Sequence, residues 1–251
     1  MKRYIVLLLL LSLLVVNAYA TPINLGTAAN FGLLAGSTIT NTGSSVINGD
    51  VGSYPTPAVT GFPPGIVNGT LYTAANAAVF QAQLDLAAAY DEAASAIPTM
   101  DLSGTDLGFY NADSPLGPGV YFFSSSAFLT GNLTLKGTDA INPQWIFQIG
   151  STLTTATGSS VALIDATKDQ VFWQIGSSTA TLGTNSVFAG NIMALTSITL
   201  NGGTLHGRAL ARNGAVTIIS EETVNAVPEP SSIMALGMML TSAAALLRRK
   251  K

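Results

Sequence analysis

The chain has 251 residues, 48% of them hydrophobic and only 9% charged, with 25 glycines and no cysteine. Such an apolar-rich, charge-poor composition excludes a disordered polyelectrolyte, and the lack of cysteine excludes a disulfide framework and thiolate metal sites. The formal net charge is −3, but six of the ten basic residues sit at the two ends; between Thr21 and Ala226 only Lys136, Lys168, Arg208 and Arg212 face twelve carboxylates, a net of −8 that excludes nucleic acid as a natural partner.

In chain order, residues 1–20 read as a secretory leader. Lys2 and Arg3 open it, Ile5 to Val16 is almost wholly apolar, and Ala18-Tyr19-Ala20 places small residues at the cleavage positions, so that Thr21 begins the mature chain. A retained anchor fits less well, because the apolar run is short for a span.

Residues 21–226 are predicted to form one repetitive domain. Ser45-Val46-Ile47-Asn48-Gly49-Asp50-Val51 matches Ser186-Val187-Phe188-Ala189-Gly190-Asn191-Ile192, Gly203 to Ala209 keeps the glycine and the small apolar end, and Thr42-Gly43-Ser44-Ser45-Val46 recurs unchanged at 157–161. Glycine returning at one phase marks corners, where the backbone needs unusual φ. The Ala-rich stretch from Leu71 to Ile97, stopped by Pro98, predicts a single long helix. Beyond it, Val120-Tyr121-Phe122-Phe123, Trp145 to Ile149 and Val171 to Ile175 carry large apolar groups at successive positions, as strands buried on both sides do. One side of them faces a core, and the helix is expected to cover the other.

The last segments share a threonine between two apolar residues. Ala180-Thr181-Leu182, Ile198-Thr199-Leu200 and Val216-Thr217-Ile218 follow one another at equal intervals. Leu153-Thr154-Thr155 lies a longer step earlier, and Leu133-Thr134-Leu135 a step of nearly ordinary size before that. The polar stretch Asp165 to Asp169 accounts for the longer interval as an inserted loop. About 18 residues per coil suits three short strands and three corners, a triangular parallel β-helix. A β-sandwich also uses short strands with turn signals, but like-on-like recurrence at a near-constant interval favours the solenoid.

With the apolar neighbours inside, Thr134, Thr154, Thr181, Thr199 and Thr217 point outward in one column at ~4.8 Å spacing, and Thr152, Thr179 and Ser197 begin a second. Threonine is stiff at χ1, so the row loses little freedom on binding, and its methyls and hydroxyls can order water in an array. The spacing is close to a lattice repeat of hexagonal ice. Surface adhesion, polysaccharide binding and plain solubility are the other readings of exposed threonine.

At the C-terminus, Val227-Pro228-Glu229-Pro230, the apolar run Ile233 to Leu247 and the basic cluster Arg248 to Lys251 follow one another. This order resembles the PEP-CTERM sorting signal of Gram-negative bacteria, which implies transient anchoring in the inner membrane, processing by an exosortase-type protease, and release to the cell surface or an exopolysaccharide matrix. An ordinary C-terminal anchor is the simpler reading of residues 227–251.

The body also resembles the microbial ice-binding (antifreeze) proteins. The resemblance rests on Leu25-Gly26-Thr27-Ala28-Ala29-Asn30-Phe31, Ile39 to Gly43, Gly49-Asp50-Val51-Gly52, the Ala-rich helix, Gly117-Pro118-Gly119-Val120-Tyr121, Val171 to Gly176, Gly190 to Ala194 and Gly207 to Ala211. It implies a mainly β fold, a discontinuous right-handed parallel β-helix with one long helix alongside. It also implies a secreted protein, expected to be monomeric, that adsorbs to ice through a flat solenoid face and inhibits ice growth or recrystallisation. A matrix adhesin binding polysaccharide is the alternative. The resemblance does not say which face binds.

Parallel β-helices also carry polysaccharide-cleaving enzymes. Here His206 stands alone, Asp101 with Asp106 and Glu221 with Glu222 flank the repeat, and Asp165 with Asp169 lacks a calcium-loop pattern. Arg208 and Arg212 are expected to pair with surface carboxylates such as Asp50 or Asp165. No catalytic centre and no cofactor are expected.

Overall fold

The structure, a computed structural model, describes residues 22–137 and 142–226. The expected leader (1–20) and sorting tail (227–251) lie outside the described residues.

The chain winds in three-sided coils. β1 (Phe31–Ala35), β2 (Thr38–Asn41) and β3 (Val46–Asn48) form one, and β4 (Asp50–Ser53), β5 (Ala58–Thr60) and β6 (Ile66–Val67) the next. Helix α1 (Ala77–Ser95) then travels to the far end, where β7 (Met100–Asp101) opens a terminal coil. From there the chain winds back through β8 (Gly119–Phe123), β9 (Ala127–Leu129) and β10 (Asn132–Lys136), and β11 (Trp145–Ile149), β12 (Leu153–Thr155) and β13 (Ser160–Ile164). β14 (Val171–Ile175), β15 (Ala180–Leu182), β16 (Ser186–Ala194), β17 (Ile198–Leu200), β18 (Gly203–Ala211), β19 (Val216–Ile218) and β20 (Glu222–Asn225) complete it.

All pairings between these strands are parallel. The stack is discontinuous in sequence: β1 is hydrogen-bonded between β4 and β18, and β2 between β5 and β19, so the first coil sits on the last one. A larger sheet makes two sides of the solenoid, and a seven-stranded sheet in the order β5-β2-β19-β17-β15-β12-β9 makes the remaining one.

β16 and β18 pass through the corner of the larger sheet without a break, at Gly190 and Gly207, which pair in register with φ of 116° and 150°. A β-carbon on Gly207 would lie 1.9 Å from the Gly190 carbonyl oxygen, so close coil-on-coil approach requires glycine there.

The interior is filled by the inward residue of each strand. Tyr121, Phe147 and Trp173 stack ring on ring through three coils, with centroid separations of 5.4 and 4.0 Å, and Phe188, across the core in the same coil as Trp173, tilts against it at 4.8 Å. Such stacking contributes beyond the area it buries.

A second apolar layer lies outside the larger sheet. Val79, Ala82, Leu86, Ala89 and Ala93 of α1 pack on Leu34, Val120, Ile146, Phe172, Met193 and Leu210. β11 and β14 are therefore buried throughout, as their unbroken apolar runs predict. The Gln148 side-chain amide donates to the carbonyls of Ala93 (2.8 Å) and Ala96 (2.7 Å), satisfying the end of the helix.

The helix is shorter than the expected 71–97. Asn76 caps it, its side chain accepting from the Ala78 N–H at 2.8 Å. Leu71 is taken by a bridge to Val51, and the Ala96 backbone is already extended.

Candidate functional site

The three sides of the solenoid are unlike. The first, carrying β1, β14 and β11, is covered by α1. The second is the seven-stranded sheet. The third, formed by β6, β3, β20, the first halves of β18 and β16, β13 and β10, has a mixed outer surface. Exposed Ile66 and Val187 stand in a row with Val46, Thr223 and Thr204 that runs on to Ser160 and Asn132, beside an amide ladder in which Asn68 donates to Asn48 and Asn48 to Asn225.

On the second side, one outward position repeats from coil to coil. Thr154 pairs with Thr181, Thr181 with Thr199, Thr199 with Thr217, Thr217 with Thr40, and Thr40 with Thr60. Six threonines thus stand in one register, spanning about 24 Å at the spacing of stacked strands. Alternation within each strand puts the flanking residues inside: Ala180, Leu182, Ile198, Leu200, Val216 and Ile218 are all at most 1% exposed. Thr60 and Thr154 are exposed, and the four between them are half-buried.

Two residues earlier runs the companion row. Thr152, Thr179 and Ser197 are joined by backbone bonds from the next residue of each coil, Leu153 N–H to Thr179 and Ala180 N–H to Ser197. Ala215 follows, and Thr38 and Ala58 continue the row on the first two coils. Its hydroxyls are partly engaged inside the protein: Thr152 donates to Ser126 at 2.6 Å, and Ser197 accepts from the Ala215 N–H at 3.0 Å. The all-threonine row is the more available of the two.

Thr134 does not belong to this surface. It lies on β10, on the third side, paired with Ala162 and 3% exposed. The equivalent of Thr154 in its coil is Phe128, on β9. The spacing misleads because two successive coils are enlarged. The steps from Phe128 to Thr154 and from Thr154 to Thr181 are both longer than those from Thr181 to Thr199 and on to Thr217. A step of ordinary size back from Thr154 therefore lands at Thr134, one side too far along the chain. Thr40 and Thr60 join the row with no signal in the spacing at all. They precede the helix, and only the stacking of the first coil on the last brings them beside Thr217.

The titratable groups that stand out in the sequence are engaged structurally. Asp101 and Asp106 accept from the backbone of their own turns, at Ser103 and Gly108. Arg208 pairs with Asp169 and Arg212 with Asp91, rather than with Asp50 or Asp165. Glu222 is buried at the corner between the second and third sides, where its backbone N–H donates to the Ser45 hydroxyl, and desolvation pushes its carboxyl up to about 7. His206 ends the amide ladder beside Asn225.

A family model described as ice-binding-like matches residues 33–225. An ice-binding protein of Nostoc sp. (strain HG1) is 53% identical over 231 residues, covering 87% of this chain and 84% of the relative. One from Colwellia sp. is 32% identical over 246 residues, covering 91% and 94%. Among solved structures, an ice-binding protein from an Antarctic biological consortium superposes with a TM-score of 0.75 at 43% identity, over 81% of this chain and 90% of its own. That of Antarctomyces psychrotrophicus gives 0.76 at 37%, over 83% and 100%.

Proposed function

The chain belongs to the ice-binding-like family, and we propose that it binds ice through the second side of its solenoid. The observation that carries this reading is the in-register row Thr60, Thr40, Thr217, Thr199, Thr181 and Thr154. An ice surface offers many weak sites on a rigid lattice, and a binder gains only if its own groups are already ordered. Each threonine is held on a parallel strand above a closely packed core and is restricted at χ1, so the row is preorganised. Thr152, Thr179 and Ser197 widen it. Ice growing between adsorbed molecules must curve, which lowers its local freezing point and slows recrystallisation.

The first side is denied to a crystal by α1, and the third lacks a uniform row. No relative reported above points to a polysaccharide-binding adhesin. The arrangement serves adsorption without a catalytic step. The leader and tail, read as export and sorting signals, support a working place outside the cell, with an exosortase-type protease as processing partner and the exopolysaccharide matrix as a destination.

The double substitution Thr181→Tyr/Thr199→Tyr tests the reading by thermal hysteresis and ice-recrystallisation assays. Two rings rising from the middle of the row abolish ice activity while the melting transition stays nearly unchanged. Full activity in that variant would move the site to another side.

A further inference from the structure

The face of α1 turned away from the solenoid is apolar where a solvated helix is polar. Ala77, Phe80, Leu84 and Ala88 follow one another on it about a turn apart, with Phe80 42% and Leu84 48% exposed. Gln81 lies beside them, and Asp91 ends the stripe. The Phe80 ring is already set in place, its centroid 5.0 Å from that of Tyr54, which follows β4. The charges of the helix run against its own dipole. Its first turn carries no acidic residue and its last no basic one, while Asp91 and Glu92 lie near the negative, C-terminal end. Each end lacks the group that the other end could lend to a neighbouring helix.

We propose that α1 is a self-association surface, through which two copies of the chain pair as an antiparallel two-fold dimer, where the sequence alone leads to the expectation of a monomer. A two-fold contact is made twice over, residue to residue. With its axis at Leu84, each residue before Leu84 meets the one equally far beyond it on the other copy. Leu84 then meets Leu84, and Phe80 of one copy lies over Ala88 of the other, so that the largest side chain of the stripe faces one of the smallest. Ala77 of one copy meets Asp91 of the other, which brings a carboxylate to the positive first turn of each helix. Asp91 keeps its own Arg212 there at 2.6 Å, with 63% of its side chain exposed. Alanine at 77 and 88 lets the helix axes approach to about 8 Å. The solenoid ends do not compete for a second copy: β6 and β7 there are two residues long, and Pro63-Pro64 precedes β6, features that discourage strand-on-strand joining. One ~28 Å helix on another buries less than the ~800 Å² a side of a stable complex, so the dimer forms at roughly 0.1 mM. Because α1 lies on the first side, both threonine rows stay uncovered, and pairing does not depend on what they bind.

The chain has no cysteine, so a single introduced thiol reports the contact. The test uses the full chain at ~0.1 mM and ~0.15 M salt, where the net charge of −8 on each copy between Thr21 and Ala226 is screened beyond ~8 Å. Under mild oxidation Leu84→Cys crosslinks to a second copy about tenfold or more faster than Ala88→Cys, whose two thiols stand at least ~12 Å apart along the helices, too far for a disulfide. Association through the apolar terminal segments is common to all variants and drops out of the comparison. Ala77→Asp, added to Leu84→Cys, gives the first turn its own acid and so raises the melting temperature, yet it faces Asp91 of the other copy and slows the crosslinking. Leu84→Glu, at an exposed position, keeps the melting curve and shifts sedimentation of the full chain toward the smaller species. Equal crosslinking of the two cysteine variants overturns the dimer, as does sedimentation that Leu84→Glu leaves unchanged up to ~1 mM. A crosslinking rate that Ala77→Asp does not slow overturns the antiparallel pairing.

Discussion

Phe128 lies in register with Thr154 at the end of the threonine row, 50% exposed on the surface that the six threonines otherwise share. A ring at that position stands above the level of the hydroxyls and ends the array. Phe128→Thr extends the row to a seventh strand, next to the Ser126–Thr152 pair. Thermal hysteresis rises, by less than about twofold, because each rung adds one weak contact. The half-buried ring is lost at a stability cost of about 1 kcal/mol, read from the melting curve. Unchanged or lower hysteresis in a folded variant would show that the row does not limit adsorption.

Glu222 sets a pH dependence of stability. Its carboxyl titrates near 7 in the folded chain, chiefly because burial disfavours the charge, against an ordinary value of 4.5. The folded state thus holds this proton more tightly than the unfolded chain does. The contribution is fully favourable below about pH 4.5 and is lost as pH rises through 7. Glu222→Gln, neutral throughout, is more stable than the natural chain at pH 8, by up to about 3 kcal/mol, and equal to it near pH 4. Denaturant melts at the two pH values decide this, and equal stability at pH 8 would contradict it.

Arg208 donates to Asp169, to the Asn191 side-chain oxygen (2.7 Å) and to the Ala29 carbonyl (2.8 Å) at the corner where the third side turns into the first, and it gives a prediction with a chemical control. Arg208→Ala leaves the Asn191 side-chain oxygen and the Ala29 carbonyl without their donor in a buried corner, a loss of roughly 2 to 4 kcal/mol. Arg208→Lys recovers little, since one ammonium cannot match the planar fork that reaches three acceptors. Thermal unfolding measures both. Ice activity of the folded fraction below 0 °C stays intact, because that corner lies away from the threonine row.

Much of the solenoid is legible in the chain. The evenly spaced triplets at Ala180, Ile198 and Val216 reveal the coil and the outward direction of Thr181, Thr199 and Thr217. The doubly apolar strands at Trp145 and Val171 reveal the helix-covered side. What cannot be read is what depends on contacts distant in sequence. Pairing of β2 with β19 is invisible to periodicity, because Asn41 and Val216 stand near opposite ends of the domain's sequence and the helix comes between them. The corner column is also hidden: Ser45, Ser159 and Ser186 are small and buried there, and only register shows Glu222 taking the same place.

Thr134 and Thr40 give the last prediction, because local pattern and register disagree about them. Thr134 sits between two leucines as the row members sit between apolar residues, yet it lies on β10 and is buried beneath the segment whose Tyr110 carbonyl accepts from its N–H. Thr40 precedes the helix, yet stacking sets it between Thr60 and Thr217. Thr134→Val, nearly equal in volume and out of reach of any crystal, leaves thermal hysteresis unchanged. Thr40→Tyr raises a ring within the row and cuts hysteresis by more than about half, since an adsorbed surface must lie level to keep its many weak contacts. Both variants are compared at equal concentration after their melting curves show a folded chain. Loss of activity in the valine variant with retention in the tyrosine one would mean that the crystal meets the third side, and that the threonine row is only a solvated sheet.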